Sequence, residues 1–110
     1  MKKALIIACF TWLQVQALEY EIQFENDKVS VSRVLIDPQE EIGLHRDASP
    51  QIVFGLQGGV ITRLEADGRE VSVDFPTGKA VFRPIDPENE LHKSVNRSDK
   101  PIEILIFTLK

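Results

Sequence analysis

The amino-acid sequence predicts an all-β domain closed into a sandwich or barrel, and three observations carry that expectation. Apolar residues recur with a period of two, turn-forming residues separate the apolar runs at short intervals, and no segment keeps a helical period for more than two turns. Successive side chains of a strand point to opposite faces, so a period of two buries one face and leaves the other to solvent.

Residues 1–17 stand apart from that domain. Lys2 and Lys3 give a positive start, Ala4 to Leu13 is apolar and uncharged, and Val15-Gln16-Ala17 supplies the residue types that a signal peptidase accepts. The segment reads as a cleaved export signal, leaving residues 18–110 as a periplasmic or secreted domain. Spanning a bilayer takes about 20 apolar residues and this run is roughly half that, so no membrane association is expected after cleavage. An amphipathic first helix or a buried strand is the alternative. A lipoprotein signal at Ile6-Ile7-Ala8-Cys9 is disfavoured, because strong hydrophobicity continues past the cysteine.

Within the domain the patterned runs are Lys28 to Arg33, Gln51 to Leu56, Val60 to Glu65, Glu70 to Phe75, Lys79 to Arg83, Glu90 to Val95 and Ile102 to Leu109. Gly58-Gly59, Asp67-Gly68, Pro76-Thr77-Gly78, the Pro84 to Asn89 stretch and Ser98 to Pro101 punctuate them. At Ala66-Asp67-Gly68, an Asp-Gly pair between β-patterned residues supplies the positive φ angles of a tight hairpin. Seven or eight strands joined in this way make a small barrel or sandwich. Phe24, Phe54, Phe75, Phe82 and Phe107 are assigned to core or edge packing.

Composition narrows the function. The chain has 110 residues, 43% hydrophobic and 27% charged, with a formal charge of −4; that is one ordered domain. Without Lys2 and Lys3, eleven basic residues face 17 acidic ones, a charge of −6. Nucleic acid is therefore not an expected partner. The single cysteine, Cys9, departs with the signal, so the mature domain has neither disulfide nor thiol and depends on its packed core.

Chemistry concentrates in two segments, His45-Arg46-Asp47 with Gln51 after it, and His92-Lys93-Ser94-Val95-Asn96. These hold the only two histidines. Residues two apart on a strand share a face, so His45 goes with Asp47, and His92 with Ser94 and Asn96. If the two strands are neighbours, two imidazoles and one carboxylate converge, the donor set of non-haem iron(II) sites. Arg46 should point away from that pair and into solvent. Arg63 could reach inward to a substrate carboxylate or pair at the surface with Glu65 or Glu70. Glu88 and Glu90 lie in a Pro-rich loop where charge is ordinarily solvated. No nucleophilic triad, phosphate-binding glycine loop or zinc-ribbon spacing is present.

From His45 to Asn96 the chain resembles a single-domain cupin, a jelly-roll barrel of about eight strands. The first cupin motif runs Gly, five residues, His-x-His, three or four residues, Glu, six residues, Gly. Here His45, Asp47, Gln51 and Gly58 keep the spacing, with Asp for the second His, Gln for the Glu and Gln39 for the leading Gly. The second motif runs Gly, five residues, Pro-x-Gly, two residues, His, three residues, Asn. Gly78, Pro84, His92 and Asn96 fit it, except that the Pro-to-His segment is three residues longer and lacks its glycine.

The resemblance implies a metal site of His45, Asp47, Gln51 and His92 for a divalent ion (iron, manganese, nickel or zinc), with no organic cofactor. An imidazole replaced by a carboxylate keeps a competent donor, whereas Gln51 is a weak fourth ligand or a supporting hydrogen-bond partner. Arg63 and Asn96 are candidate substrate-binding residues. The alternative is a metal-free polar cluster of His45, Asp47 and His92. Three function classes follow: an exported binding module for a small molecule or metal ion, a metal-dependent oxygenase or isomerase, and a structural barrel that presents an edge to a partner. Cupins commonly pair as dimers, and the apolar run Ile102 to Leu109 could take part, so a homodimer is expected.

Overall fold

A computed structural model describes residues 19–110; the expected export signal lies outside the described residues. Nine strands run through it: β1 (Glu19–Glu25), β2 (Val29–Ile36), β3 (Glu41–His45), β4 (Gln51–Gln57), β5 (Gly59–Glu65), β6 (Glu70–Phe75), β7 (Ala80–Arg83), β8 (His92–Val95) and β9 (Ile102–Leu109). They form a five-stranded sheet in the order β1-β2-β9-β4-β7 and a four-stranded sheet in the order β3-β8-β5-β6. Every strand pair is antiparallel. The all-β jelly roll expected from the sequence is the observed architecture.

Two strands lie beyond the seven patterned runs. β1 alternates well, but Tyr20, Ile22 and Phe24 are all exposed on an edge strand. β3 contains Gly43 and is irregular between Ile42 and His45, which weakens its pattern. Among the described residues no helix is long and apolar enough to cross a membrane.

The core is aliphatic and lies between the sheets: Val34, Ile36, Val53, Ile61, Ile102 and Ile104, closed by Phe75. These residues sit at alternate positions on their strands, as a one-sided sheet requires, and burying each contributes roughly 1.5–3 kcal/mol. Among the described residues Phe75 is the one phenylalanine of the core, while Phe24 and Phe82 lie exposed on the edge strands β1 and β7.

Local chemistry explains the turns. Gly68 alone of the Asp67-Gly68 pair has positive φ, at 93°, and its N–H donates to the Glu65 carbonyl at 3.0 Å. Gly58 does not turn a hairpin, since β4 and β5 belong to different sheets; it is the single residue that carries the chain across. A Cβ there would lie 1.9 Å from the Phe75 carbonyl oxygen, so only glycine fits. Gln39, standing where the cupin motif has glycine, has φ 69°. Its N–H donates to the Asn96 carbonyl at 2.6 Å, fixing the turn before β3.

Candidate metal centre

His45 closes β3 and His92 opens β8, and the two are register partners, so the pairing of these strands brings together residues far apart in sequence. Their ring centroids are 4.3 Å apart. Asp47, two residues past β3, places Oδ1 3.5 Å from His45 Nε2 and Oδ2 3.7 Å from His92 Nε2. One donor atom from each of the three lies within 4.8 Å of the other two. Ligands about 2.1 Å from a shared ion are roughly 3.0–3.5 Å from one another, so both carboxylate–imidazole separations already approach the spacing of a metal site.

The protonation pattern fits a cation as well. His45 Nδ1 is 2.6 Å from the Gly43 carbonyl, which can only accept, so the proton is assigned to Nδ1 and a lone pair on Nε2 faces Asp47. His92 is 2% exposed, and its Nδ1 is a buried nitrogen that makes no hydrogen bond, although Asp86 Oδ2 lies 3.3 Å away. A proton on that nitrogen leaves the second lone pair also facing Asp47. With the protons so placed, both Nε2 lone pairs lie within 3.7 Å of the Asp47 carboxylate, an arrangement that positive charge between them would stabilise.

Asp86 supports this cluster, and sequence reasoning missed it. It is 6% exposed; Oδ2 accepts the Asp47 N–H at 2.8 Å and Oδ1 accepts from Arg63 Nη2 at 2.9 Å. Burial pushes its carboxyl up, but the Asp47 N–H and the Arg63 guanidinium outweigh that and hold it below the usual carboxylate range. A carboxylate behind a ligating histidine fixes the ring and raises its basicity as a ligand. Burial, reinforced by the charges of Arg63 and His45, lowers His92 from its ordinary value against the pull of Asp47 and Asp86. The neutral form, the one that ligates, is therefore favoured.

The remaining candidates divide. Gln51, the first residue of β4, lines the same cavity as His45, Asp47 and His92. Arg63 also lines it, but its guanidinium is held by Glu65 at 2.5 Å and Asp86 at 2.9 Å, so the pairing with Glu65 and the inward orientation coexist. Asn96 is not brought to the cavity. It is fully buried just past β8, with Nδ2 donating to the Ile36 and Lys100 carbonyls and Oδ1 accepting from the Ser98 N–H and Oγ. Arg46 does not project into solvent: half-buried, it donates to the Asp86 and Pro87 carbonyls and straps the 84–90 loop to the end of β3. Glu88 and Glu90 are exposed in that loop.

A second residue missed in the sequence, Arg83, lines the cavity opposite Gln51 in the β4–β7 register. The signal for Asp86 was present in another form. It lies in the Pro84-to-His92 segment, where the chain exceeds the cupin motif by three residues.

The architecture is shared with solved cupins. A cupin domain from Bordetella pertussis is similar at a TM-score of 0.75 and 21% identity, over 89% of this chain and 98% of that one. A cupin superfamily protein from Desulfitobacterium hafniense gives a TM-score of 0.61 at 13% identity, over 90% of this chain and 83% of that one. The polyketide cyclase RemF from Streptomyces resistomycificus gives 0.60 at 18% identity, over 82% of this chain and 63% of that one. These likenesses define the fold as a cupin jelly roll. No protein-family model and no curated protein matches the sequence.

Proposed function

We propose that the chain is an exported cupin-type binding protein that holds a divalent ion, iron, manganese, nickel or zinc, through His45, Asp47 and His92, and binds a small molecule beside it. The observation that carries the reading is the convergence of one donor atom from each of two imidazoles and one carboxylate within 4.8 Å on a cavity of about 110 Å³. Gln51 is the weak fourth donor or the hydrogen-bond partner of a bound group. An ion there would supply Lewis acidity and, with three protein ligands, open positions for water or ligand. The protein's own part is to keep the two rings in their ligating form, through the Gly43 carbonyl for His45 and through burial for His92, whose Nδ1 has the Asp86 carboxylate 3.3 Å away.

Metal-dependent catalysis of the oxygenase or isomerase kind is the second reading. The observation in its favour is that three donors leave coordination positions open to a reactant. A structural barrel without metal is the third.

Elemental analysis of protein purified without a histidine tag tests the site. Retained metal, lost in His45→Ala and His92→Ala, together with an ion-dependent rise in melting temperature, is the expected result. A melting curve unmoved by all four ions would remove the proposal. Export belongs to the same reading, resting on the Lys2–Ala17 pattern. A homodimer would not pair through Ile102–Leu109 as the sequence suggested, because β9 is hydrogen-bonded on both sides, to β2 and to β4; it would have to use an edge strand such as β1, with its exposed Tyr20, Ile22 and Phe24. The mass of the mature chain and light scattering test them.

A further inference from the structure

The sequence contains six arginines, all among the described residues, and five of them are occupied. Arg33 pairs with Glu103, Arg63 with Glu65 and Asp86, Arg69 with Asp67, and Arg97 with Glu70. Arg46 donates to the backbone carbonyls of the 84–90 loop. The Arg83 side chain alone makes neither an ion pair nor a hydrogen bond to any described residue, in a chain where acidic groups outnumber basic ones. It is half-buried and lines the same cavity as His45, Asp47 and His92.

The register explains why it faces inward. On β7, Val81 pairs with the buried Val53 and packs against the core, and Arg83, two residues on, pairs with Gln51 on the same face. A guanidinium in that position presents a planar fork of donors matched to a carboxylate.

Charge sets the valence of the ligand. Around the site three carboxylates, of Asp47, Glu65 and Asp86, face two guanidiniums, of Arg63 and Arg83. With neutral imidazoles that is a deficit of one charge, and a divalent ion turns it into a surplus of one. Size sets the class: about 110 Å³ is well below the ~300–1,000 Å³ of pockets for drug-sized ligands. The inner wall is apolar, with Val53, Ile61 and Phe75.

We propose that Arg83 is the anion anchor of this cavity, and that the ligand is a compact monocarboxylate held between its guanidinium and the ion on His45, Asp47 and His92. This rests on the metal-site reading above. It further requires that carboxylate and metal bind cooperatively, each tightening the other by the same factor.

Titration calorimetry with lactate, and with the neutral lactamide as control, tests it on the mature chain loaded with manganese or with zinc. Lactate is expected to bind the loaded protein and lactamide at least about tenfold more weakly; chelation should abolish lactate binding. Arg83→Gln should keep its metal by elemental analysis yet bind lactate roughly 10- to 100-fold more weakly, as loss of a charge-assisted hydrogen bond predicts. Arg83→Lys, which retains the charge but not the fork, should fall between. Lactate binding undiminished in Arg83→Gln, equal affinity for lactamide, or no lactate binding by protein that holds its metal would overturn the anchor and leave the metal site standing. Failure of the wild-type chain to retain any ion would overturn the site and the anchor together.

Discussion

His92 and Asn96 bracket the short strand β8, equally shut off from water and opposite in their hydrogen bonding. Asn96 is 0% exposed and His92 2%. Every polar atom of the Asn96 side chain has a partner: two carbonyls take its Nδ2 protons, and the Ser98 N–H and Oγ meet its Oδ1. His92 has a buried Nδ1 without a hydrogen bond and an Nε2 facing a carboxylate across 3.7 Å. Burial of a polar group therefore does not mark function here; incomplete satisfaction does. A saturated amide ties a turn together, whereas a ring whose Nε2 faces the Asp47 carboxylate across 3.7 Å without a hydrogen bond is a ligand in waiting.

The strongest way to break this contrast is His92→Ala. Removing one of three donors should lower affinity for a divalent ion by more than the ~10–100-fold typical of losing a supporting partner, with the β spectrum kept by circular dichroism. Unchanged metal content in a folded variant would place the ion elsewhere. Asn96→Ala should do the reverse. Stripping partners from buried carbonyls costs ~1–3 kcal/mol per group, so a loss of about 3 kcal/mol is expected, lowering the melting temperature by roughly 12–24 °C. The metal stoichiometry of its folded fraction should stay that of wild type.

Asp86→Asn sharpens the comparison from the supporting side. The carboxylate behind His92 also fixes the Asp47 N–H and balances Arg63. Its loss should weaken metal binding about 10- to 100-fold without abolishing it. An affinity equal to that of wild type would mean that the 3.3 Å approach to Nδ1 is incidental.

Much of this architecture was legible from the period of two, because one-sided burial leaves that signature in local sequence. β3 was not legible, since Gly43 and a break in register interrupt its alternation. The triad was legible through the motif spacing around His45, Asp47 and His92, which encodes strand pairing that no local pattern contains. Asp86 escaped because it stands in the segment where the spacing departs from the motif. Arg83 escaped because its partner across the sheet, Gln51, is fixed only by long-range register. Asn96 was misassigned for a chemical reason: Asn-x-Ser after a strand is also the signature of an Asx turn, and its Oδ1 accepts the Ser98 N–H at 3.0 Å.

The smallest effect expected is in acid stability, and it separates the two residues again, since Asn96 does not titrate. In metal-free protein kept in chelator, His92 has a folded-state pKa below its unfolded value of about 6.5. As the pH falls through that value the unfolded chain takes up a proton that the folded chain resists, so stability declines from there down to the folded pKa and then levels. Asp86 acts in a separate window. Its folded pKa lies below its unfolded value of about 3.9, so its contribution persists above that value and is lost as pH falls through the folded one. Denaturant unfolding from pH 7.5 to 3 should therefore show two declines. His92→Gln should flatten the upper and spare the lower, while Asp86→Asn shrinks the lower, to which Asp67 beside Arg69 also contributes, and deepens the upper, because the Asp86 charge raises the His92 pKa. A wild-type curve flat between pH 7 and 5 would mean that the ring accepts its proton as readily in the fold as in water, and would remove the distinction between a saturated and an unsaturated buried side chain.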